Sequence, residues 1–427
     1  MKRHKSTGNC GSCGILEKIF IYCKIGVHVL WKYRSRFSIQ FMYHASVLLF
    51  SFWHNKLIKL QNGTYKLHLY IPAYPTRAFF KSVEDKLIHN PPRPITIVYS
   101  VTKACTFKCS HCYQRKDKGV DIPLDLKLKT IKDIGECGVT YINIEGGDAF
   151  LKFDELCAIL DYLDDSMEVW INTTGANVTK EKLQTLKDKG CCGLMVSIHN
   201  DKPQKHDEFV GIEGAYDMAV QTLKWCYEVG LGSAINTVLE KDKIEDGSFL
   251  GIMELAKDLN CNFVQLIHPK RAGLWLNNKE LATNDKLTID YVLKAHKYYN
   301  NAFRQNYPAL PAQVEEEQPS KFGCTSGGID RFYIGASGEV QPCEFLNISF
   351  GNVKDEDFKV IFERMRSYFK TPCEHWLCTT QAQAIDELMK KYNLTQTPIP
   401  YEYTKELVEN WNRGNSTKLY KKMGLYQ

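Results

Sequence analysis

The sequence predicts an α/β protein built on a parallel sheet of six βα units. Three observations predict it. Between residues 95 and 267, six short apolar runs alternate with amphipathic helical stretches. Glycines stand at several helix exits, as at Gly138, Gly190 and Gly230. Polar residues gather where the apolar runs end, the place at which a parallel sheet offers groups to a ligand. Right-handed crossovers would join the units, and periodicity alone does not choose between a barrel and an open sheet.

Taken in order, residues 1–60 form a basic, apolar segment. Ten Lys or Arg stand there against one acid, Glu17, in a chain whose net charge is only +6. The basic residues alternate with large apolar ones instead of forming a polar stripe, which argues against nucleic acid as a partner. The run FSIQFMYHASVLLFSFWH at 37–54 carries no Lys, Arg, Asp or Glu, and its 18 residues reach only the lower limit for a membrane span. Gln40, His44 and the serines weigh against spanning. Basic flanks and aromatic edges suit an anchor on anionic lipid, at the inner face of the membrane of a cytoplasmic protein, and a helix packed on the sheet is the alternative. Cys10 and Cys13 make a lone C-x2-C in what reads as a disordered tail, and no cleavable signal peptide is expected. Residues 61–94, with YIPAYPTRAFF and NPPRP, read as a proline-rich lead-in.

Strand candidates are ITIVYSV from 95, VTYINIE from 139, MEVWINTT from 167, GLMVSIH from 193, GSAINTV from 232 and NFVQLI from 262. Helical stretches fall near 123–137, 152–165, 179–189, 214–229 and 247–259. A composition of 44% hydrophobic and 24% charged residues over 427 positions suits one barrel-sized core plus a smaller domain.

The loop after the first strand, ACTFKCSHCYQ, spaces Cys105, Cys109 and Cys112 as C-x3-C-x2-C. Such positions would share one helix face, where buried cysteine acts as a small hydrophobe. Lys108, Ser110 and His111 lie between them, however, and a loop after a strand is where chemistry usually sits. Thiolates this close hold zinc or an iron-sulfur cluster, and a closed zinc site wants four ligands. Three leave one metal position open to something from outside. Sixteen cysteines, with the adjacent pair Cys191 and Cys192, suit a reducing cytosol and metal ligation better than a disulfide framework.

At these residues the chain resembles the radical S-adenosylmethionine (SAM) enzymes. The resemblance implies a partial (β/α)6 TIM-like barrel over 95–310, open on one side, with a 4Fe-4S cluster on the three cysteines. It implies that SAM chelates the free iron, that an electron enters the sulfonium, and that the resulting 5'-deoxyadenosyl radical abstracts hydrogen. His111 takes a position where the family has an aromatic residue. EGGDAF, after the second strand, is similar to the family's GGE motif, which places Gly146, Gly147 and Asp148 at the SAM amino group. The aspartate departs from the motif, so either the backbone moves or the backbone carbonyls do most of the binding; alone, the stretch would be a glycine turn with an acidic helix cap. NTTGAN resembles the T-N-G turn, with Asn172 and Thr174 toward the nucleoside. Ser197 matches a serine that meets the SAM carboxylate or ribose, and His199 stands where relatives often have aspartate. Asn236 and the backbone from Gln265 to His268 complete the expected set. A lone Ser or Asn at a strand end is also an ordinary turn residue.

Beyond the barrel, Cys324, Gly338 and Cys343 read C-x13-G-x4-C, and Cys373 and Cys378 follow. FYIGASGEVQPC between them reads as a β-hairpin. Four thiols can close a zinc site. The stretch also resembles the SPASM or twitch extension of radical SAM enzymes, and the cysteines that remain imply a twitch-like domain over 320–380. One auxiliary 4Fe-4S cluster would then sit on Cys324, Cys343, Cys373 and Cys378. Glu344 would serve as a general base, or be a solvated surface glutamate. Residues 381–427 read as a charged helical tail.

The resemblance implies an enzyme acting on a peptide or protein, with a lipid or cofactor precursor as the alternative substrate, and a reductant such as flavodoxin or ferredoxin. A non-catalytic zinc or electron-transfer protein is the reading from a different class.

Overall fold

Side chains along a strand point alternately to its two faces, and the apolar runs sort themselves by that rule. In the computed structural model, which describes residues 11–36, 38–281 and 285–426, all six candidates become parallel strands. They are β1 (Thr96–Ser100), β2 (Tyr141–Glu145), β3 (Glu168–Thr173), β4 (Gly193–Ser197), β5 (Gly232–Val238) and β6 (Phe263–Ile267). One face carries Ile97, Ile142, Ile171, Leu194, Ile235 and Val264 into the main core beneath the helices. The other face carries Tyr141, Trp170, Met195, Ala234 and Phe263 into a second cluster.

The return helices stand where periodicity places them: Leu124–Glu136, Phe153–Tyr162, Lys180–Asp188, Ala215–Val229 and Ser248–Asp258. Two further helices carry weaker sequence signals, Pro203–Val210 and Lys286–Tyr299.

The predicted hairpin forms as well, and it extends the same sheet. Its strands are β7 (Arg331–Ile334) and β8 (Glu339–Gln341), followed by β9 (Gly351–Asn352). β7 lies parallel to β1, with Arg331 opposite Thr96, so the sheet runs β9-β8-β7-β1-β2-β3-β4-β5-β6. The expected division between a barrel and a separate cysteine-bearing domain therefore does not interrupt the hydrogen-bond ladder.

Residues 57–75, partly expected as a lead-in, instead fold against the sheet. Ile58, Leu60, Leu69 and Ala73 pack onto the cluster of Tyr141, Trp170 and Phe263. Lys66 enters this apolar contact fully buried, with Nζ 2.5 Å from Glu168 Oε1 and 2.5 Å from the Ile71 carbonyl. The Ala73 amide and the Trp170 indole nitrogen donate to the same carboxylate, at 2.6 and 2.9 Å. Good geometry on every polar atom is what allows a charged pair in such a place.

The N-terminal segment forms α1 (Ile15–Lys32) and α2 (Ile39–Ser51), which sit beside α3 (Arg77–Leu87). Ile21, Ile25 and Val29 of α1 join Phe79 and Phe80 of α3 in one buried cluster. Among the described residues no helix is long and apolar enough to cross a membrane. The outer faces keep Leu16, Phe20, Val27, Trp31 and Ile39 exposed. Cys13 is buried, and Cys10 lies outside the described residues. The tail is helical, as expected, in three short pieces within 382–423.

Replacing Lys66 by Met leaves the Glu168 carboxylate buried without its cation. Chemical denaturation of Lys66→Met is expected to show a loss of about 3–5 kcal/mol, part of which Glu168→Gln in the same chain restores.

Candidate active site

The site is built where the chain leaves β1 and passes along the end of β2. The Gly147 amide donates to the Thr102 carbonyl at 2.7 Å, and the Asp148 amide to Ala104 at 2.8 Å. A Cβ on Gly147 would lie 2.1 Å from the Ala104 oxygen, and one on Gly146 2.6 Å from the Thr102 oxygen. Both glycines are thus required for the cysteine loop to lie this close. On its other side the loop is tied to 209–210, through Lys108 N to Val210 O at 2.9 Å and Ser110 N to Phe209 O at 3.2 Å.

Cys105, Cys109 and Cys112 are all half-buried on this loop. Burial, with Cys112 and Cys105 adding to it, pushes the Cys109 thiol up to about 12, and burial pushes Cys112 to about 11. Three crowded thiols of this kind become ligands only when a cation replaces their protons. Among the described residues, neither cysteine group brings three sulfurs within 4.8 Å of one another. A single tetrahedral zinc ion would need sulfurs about 3.8 Å apart.

His111 stacks on Phe209 at 4.8 Å and meets His199 edge-on at 4.6 Å. Burial, with Lys243 nearby, holds its imidazole down to about 3, so it packs as a neutral aromatic ring. His199 is buried too, and its Nδ1 accepts from the Val238 amide at 3.3 Å. Asp148 turns inward: its carboxylate accepts from the Phe150 amide at 3.0 Å, the Thr174 amide at 3.0 Å, and the hydroxyls of Thr173 and Thr174. The side chains of Asp148 and Thr174 therefore bind each other across the ends of β2 and β3. The Asp148 carboxylate is thus fully engaged within the chain.

Asn172 and Asn236 point into a cavity of about 380 Å³ on the inner face of the sheet, which also takes in Asn143, Gln265 and Glu145. Ser197 ends β4 opposite Asn236. Glu145 receives a hydrogen bond from the Tyr113 hydroxyl, one from Gln114 Nε2 at 2.8 Å and one from Asn172 Nδ2 at 3.1 Å. Burial, opposed by the Tyr113 bond and reinforced by Glu344, pushes its carboxyl up to about 8. Tyr113 and Glu145 flank the cysteine and glycine motifs in sequence, and the only sign of their role was the inward phase of β2.

The second cysteine group is drawn from four segments. Cys324 and Cys373, both free thiols, pair through an isolated antiparallel β-bridge of the backbone, with the Cys324 amide 2.8 Å from the Cys373 carbonyl, while Cys378 sits in the short helix Leu377–Thr380. All four thiols are buried, and Cys343 Sγ lies 3.2 Å from Glu344 Oε2. Glu344 and Arg331 also line the cavity, so this group adjoins the inner face of the sheet. Lys270 is only 5% exposed, and its ammonium, 3.5 Å from the Trp376 ring centre, has no hydrogen-bond partner among the described residues. Arg331 pairs with Glu317 at 2.8 Å, and the electrostatics of both cations couple to Cys343. A buried, unpaired ammonium is costly, and an anionic cluster on four thiolates offsets that cost. The donor set fits such a group. Lys270 and Arg331 left no sequence signal, because nothing in a single sequence marks which lysine lies beside a distant cysteine.

Gly147→Ala is expected to displace the cysteine loop, so that iron and sulfide content per chain falls by about half after anaerobic reconstitution, with the Cys343 group keeping its share. For Glu145, the value in the folded state lies above the free carboxyl value, so stability is highest with the group neutral and declines as pH rises through about 8. Urea midpoints between about pH 6 and 9 should fall with pH in the native protein and fall less in Glu145→Gln.

Comparison with known proteins bears on the same two regions. Residues 99–246 match the family model of the radical SAM superfamily, and residues 324–380 match SPASM, an iron-sulfur cluster-binding domain. An AdoMet-dependent heme synthase of Nitratidesulfovibrio vulgaris is 23% identical, over 72% of this chain and 91% of the relative. A PqqA peptide cyclase of Bradyrhizobium diazoefficiens is 21% identical, over 58% of this chain and 66% of the relative. The crystal structure of Streptococcus suis SuiB bound to its precursor peptide SuiA shares the fold, with a TM-score of 0.51 and 16% identity over 66% of this chain and 67% of that one.

Proposed function

Because the chain is an enzyme of the radical SAM superfamily with an iron-sulfur cluster-binding SPASM domain, we propose that Cys105, Cys109 and Cys112 hold its SAM-binding 4Fe-4S cluster and that its substrate is a peptide or protein. The observation that carries the reading is the three-thiol loop pressed onto the Gly146–Gly147 turn beside the cavity. When bound and reduced, the cluster supplies the electron that splits SAM into methionine and a 5'-deoxyadenosyl radical. The chain's own part is placement and exclusion of water. His111, Phe209 and Trp275 wall the loop with aromatic rings, and burial pushes the Glu145 carboxyl up at the cavity.

A peptide substrate is supported by the peptide in the name of the Bradyrhizobium relative and by the precursor peptide bound to SuiB. Cys324, Cys343, Cys373 and Cys378 hold one auxiliary 4Fe-4S cluster in this reading, with Lys270 and Arg331 as its charge partners. Glu344, between Cys343 and the cavity, is placed to take a proton from the substrate. A reductant of the flavodoxin or ferredoxin type supplies electrons. The exposed apolar faces of α1 and α2, flanked by Lys24, Lys32, Arg34 and Arg36, support attachment to the anionic inner face of a membrane from the cytoplasm.

With dithionite and SAM, Cys109→Ala is expected to form no 5'-deoxyadenosine. Cys343→Ala is expected to form it without modified product. Wild-type yields of 5'-deoxyadenosine from Cys109→Ala would overturn the assignment of the loop, and product from Cys343→Ala that of the auxiliary group.

A further inference from the structure

The cavity is not confined to the inner face of the sheet. It runs on to the N-terminal helices, where Ile25, Val29 and Leu30 of α1, Leu49 of α2, and Phe79 and Val83 of α3 form its wall. The two ends differ in chemistry. At the sheet end, Asn172 Nδ2 is taken by Glu145 at 3.1 Å and Gln265 Nε2 by the Tyr70 hydroxyl at 2.6 Å. Their oxygens, and those of Asn143 and Asn236, are buried without a hydrogen-bond partner among the described residues. This end therefore calls for donors. The helix end is walled by apolar side chains on helices whose backbone groups are already paired. A peptide backbone threaded there would strand its amides, whereas a hydrocarbon chain loses nothing.

We infer that the substrate presents an amphiphilic group to this cavity: a long alkyl or isoprenoid chain lies between α1, α2 and α3, and a donor-bearing head such as an ammonium sits at the side-chain oxygens of Asn143 and Gln265 and at Glu145. This rests on the reading that the reactive centre forms at the cysteine loop, beside that head. The chain belongs either to a free amphiphile or to a peptide that carries one as a covalent lipid, and the shared chemistry is the same.

Calorimetric titration of anaerobically reconstituted protein with n-alkylamines from butyl to tetradecyl tests it. Affinity is expected to rise about fourfold per methylene until the cavity is filled. Leu30→Trp and Val83→Trp, each at wild-type iron content, should weaken dodecylamine at least tenfold, and dodecyl sulfate should bind more weakly than the amine. Tighter binding of free dodecylamine than of a short peptide carrying a dodecyl chain on lysine assigns the free amphiphile, and the reverse order assigns the lipid-bearing peptide. Affinity independent of chain length, or displacement of dodecylamine by an unlipidated apolar peptide at equal affinity, overturns the inference. Since binding is read without turnover, protein that binds the series yet yields no 5'-deoxyadenosine refutes the preceding reading, and with it the reactive centre beside the head, while the amphiphile-binding site itself stands.

Discussion

Two amide-to-carbonyl hydrogen bonds, Gly147 to Thr102 and Asp148 to Ala104, press the cysteine loop against the end of the second strand. They form only because neither glycine carries a Cβ, and any other residue at 147 would put carbon inside the Ala104 oxygen. The rest of the site follows from that contact. It fixes where the three thiols stand relative to the sheet, it brings Tyr113 onto Glu145, and it leaves Asp148 free to turn inward and clamp the third strand. The glycines are usually thought of as making room for a ligand. Here they first make room for the polypeptide itself.

Charge is distributed unequally between the two thiol groups. The loop group has the rings of His111 and Phe209 against it, with His111 held uncharged by burial, and Arg115 and Lys243 as the nearby cations. The second group has the buried Lys270 and the half-buried Arg331 beside it, the first without an acceptor among the described residues. An anionic cluster in the second setting is stabilised in its more reduced, more negative form relative to one in the first.

All six parallel strands, five of their helices and the hairpin were legible in the sequence, because each rests on a local pattern: a β-branched run, a 3.6-residue period, a Ser-Gly turn. The cysteine spacing was legible for the same reason. What was not legible depends on contacts distant in sequence. Lys270 lies about fifty residues before the nearest auxiliary cysteine. The unusual environment of Glu145 comes from Tyr113, Gln114 and Asn172 together. Asp148 matched a motif position, yet the two threonines of NTTGAN, of which Thr174 was expected at a nucleoside, claim its carboxylate. The N-terminal run was ambiguous between lipid and protein because it serves two faces, one packed on α3 and one exposed.

The pairing of β7 with β1 has an engineering consequence. The hairpin that leads to Cys343 and the strand that leads to Cys105 belong to one ladder, its first strand β7 lying against β1 with Arg331 opposite Thr96 and Ile334 opposite Tyr99. The two cysteine groups are consequently mounted on a common rigid beam. Exchanging the C-terminal unit for that of another protein would mean cutting this beam lengthwise, so a successful chimera has to carry its own first strand along with the graft.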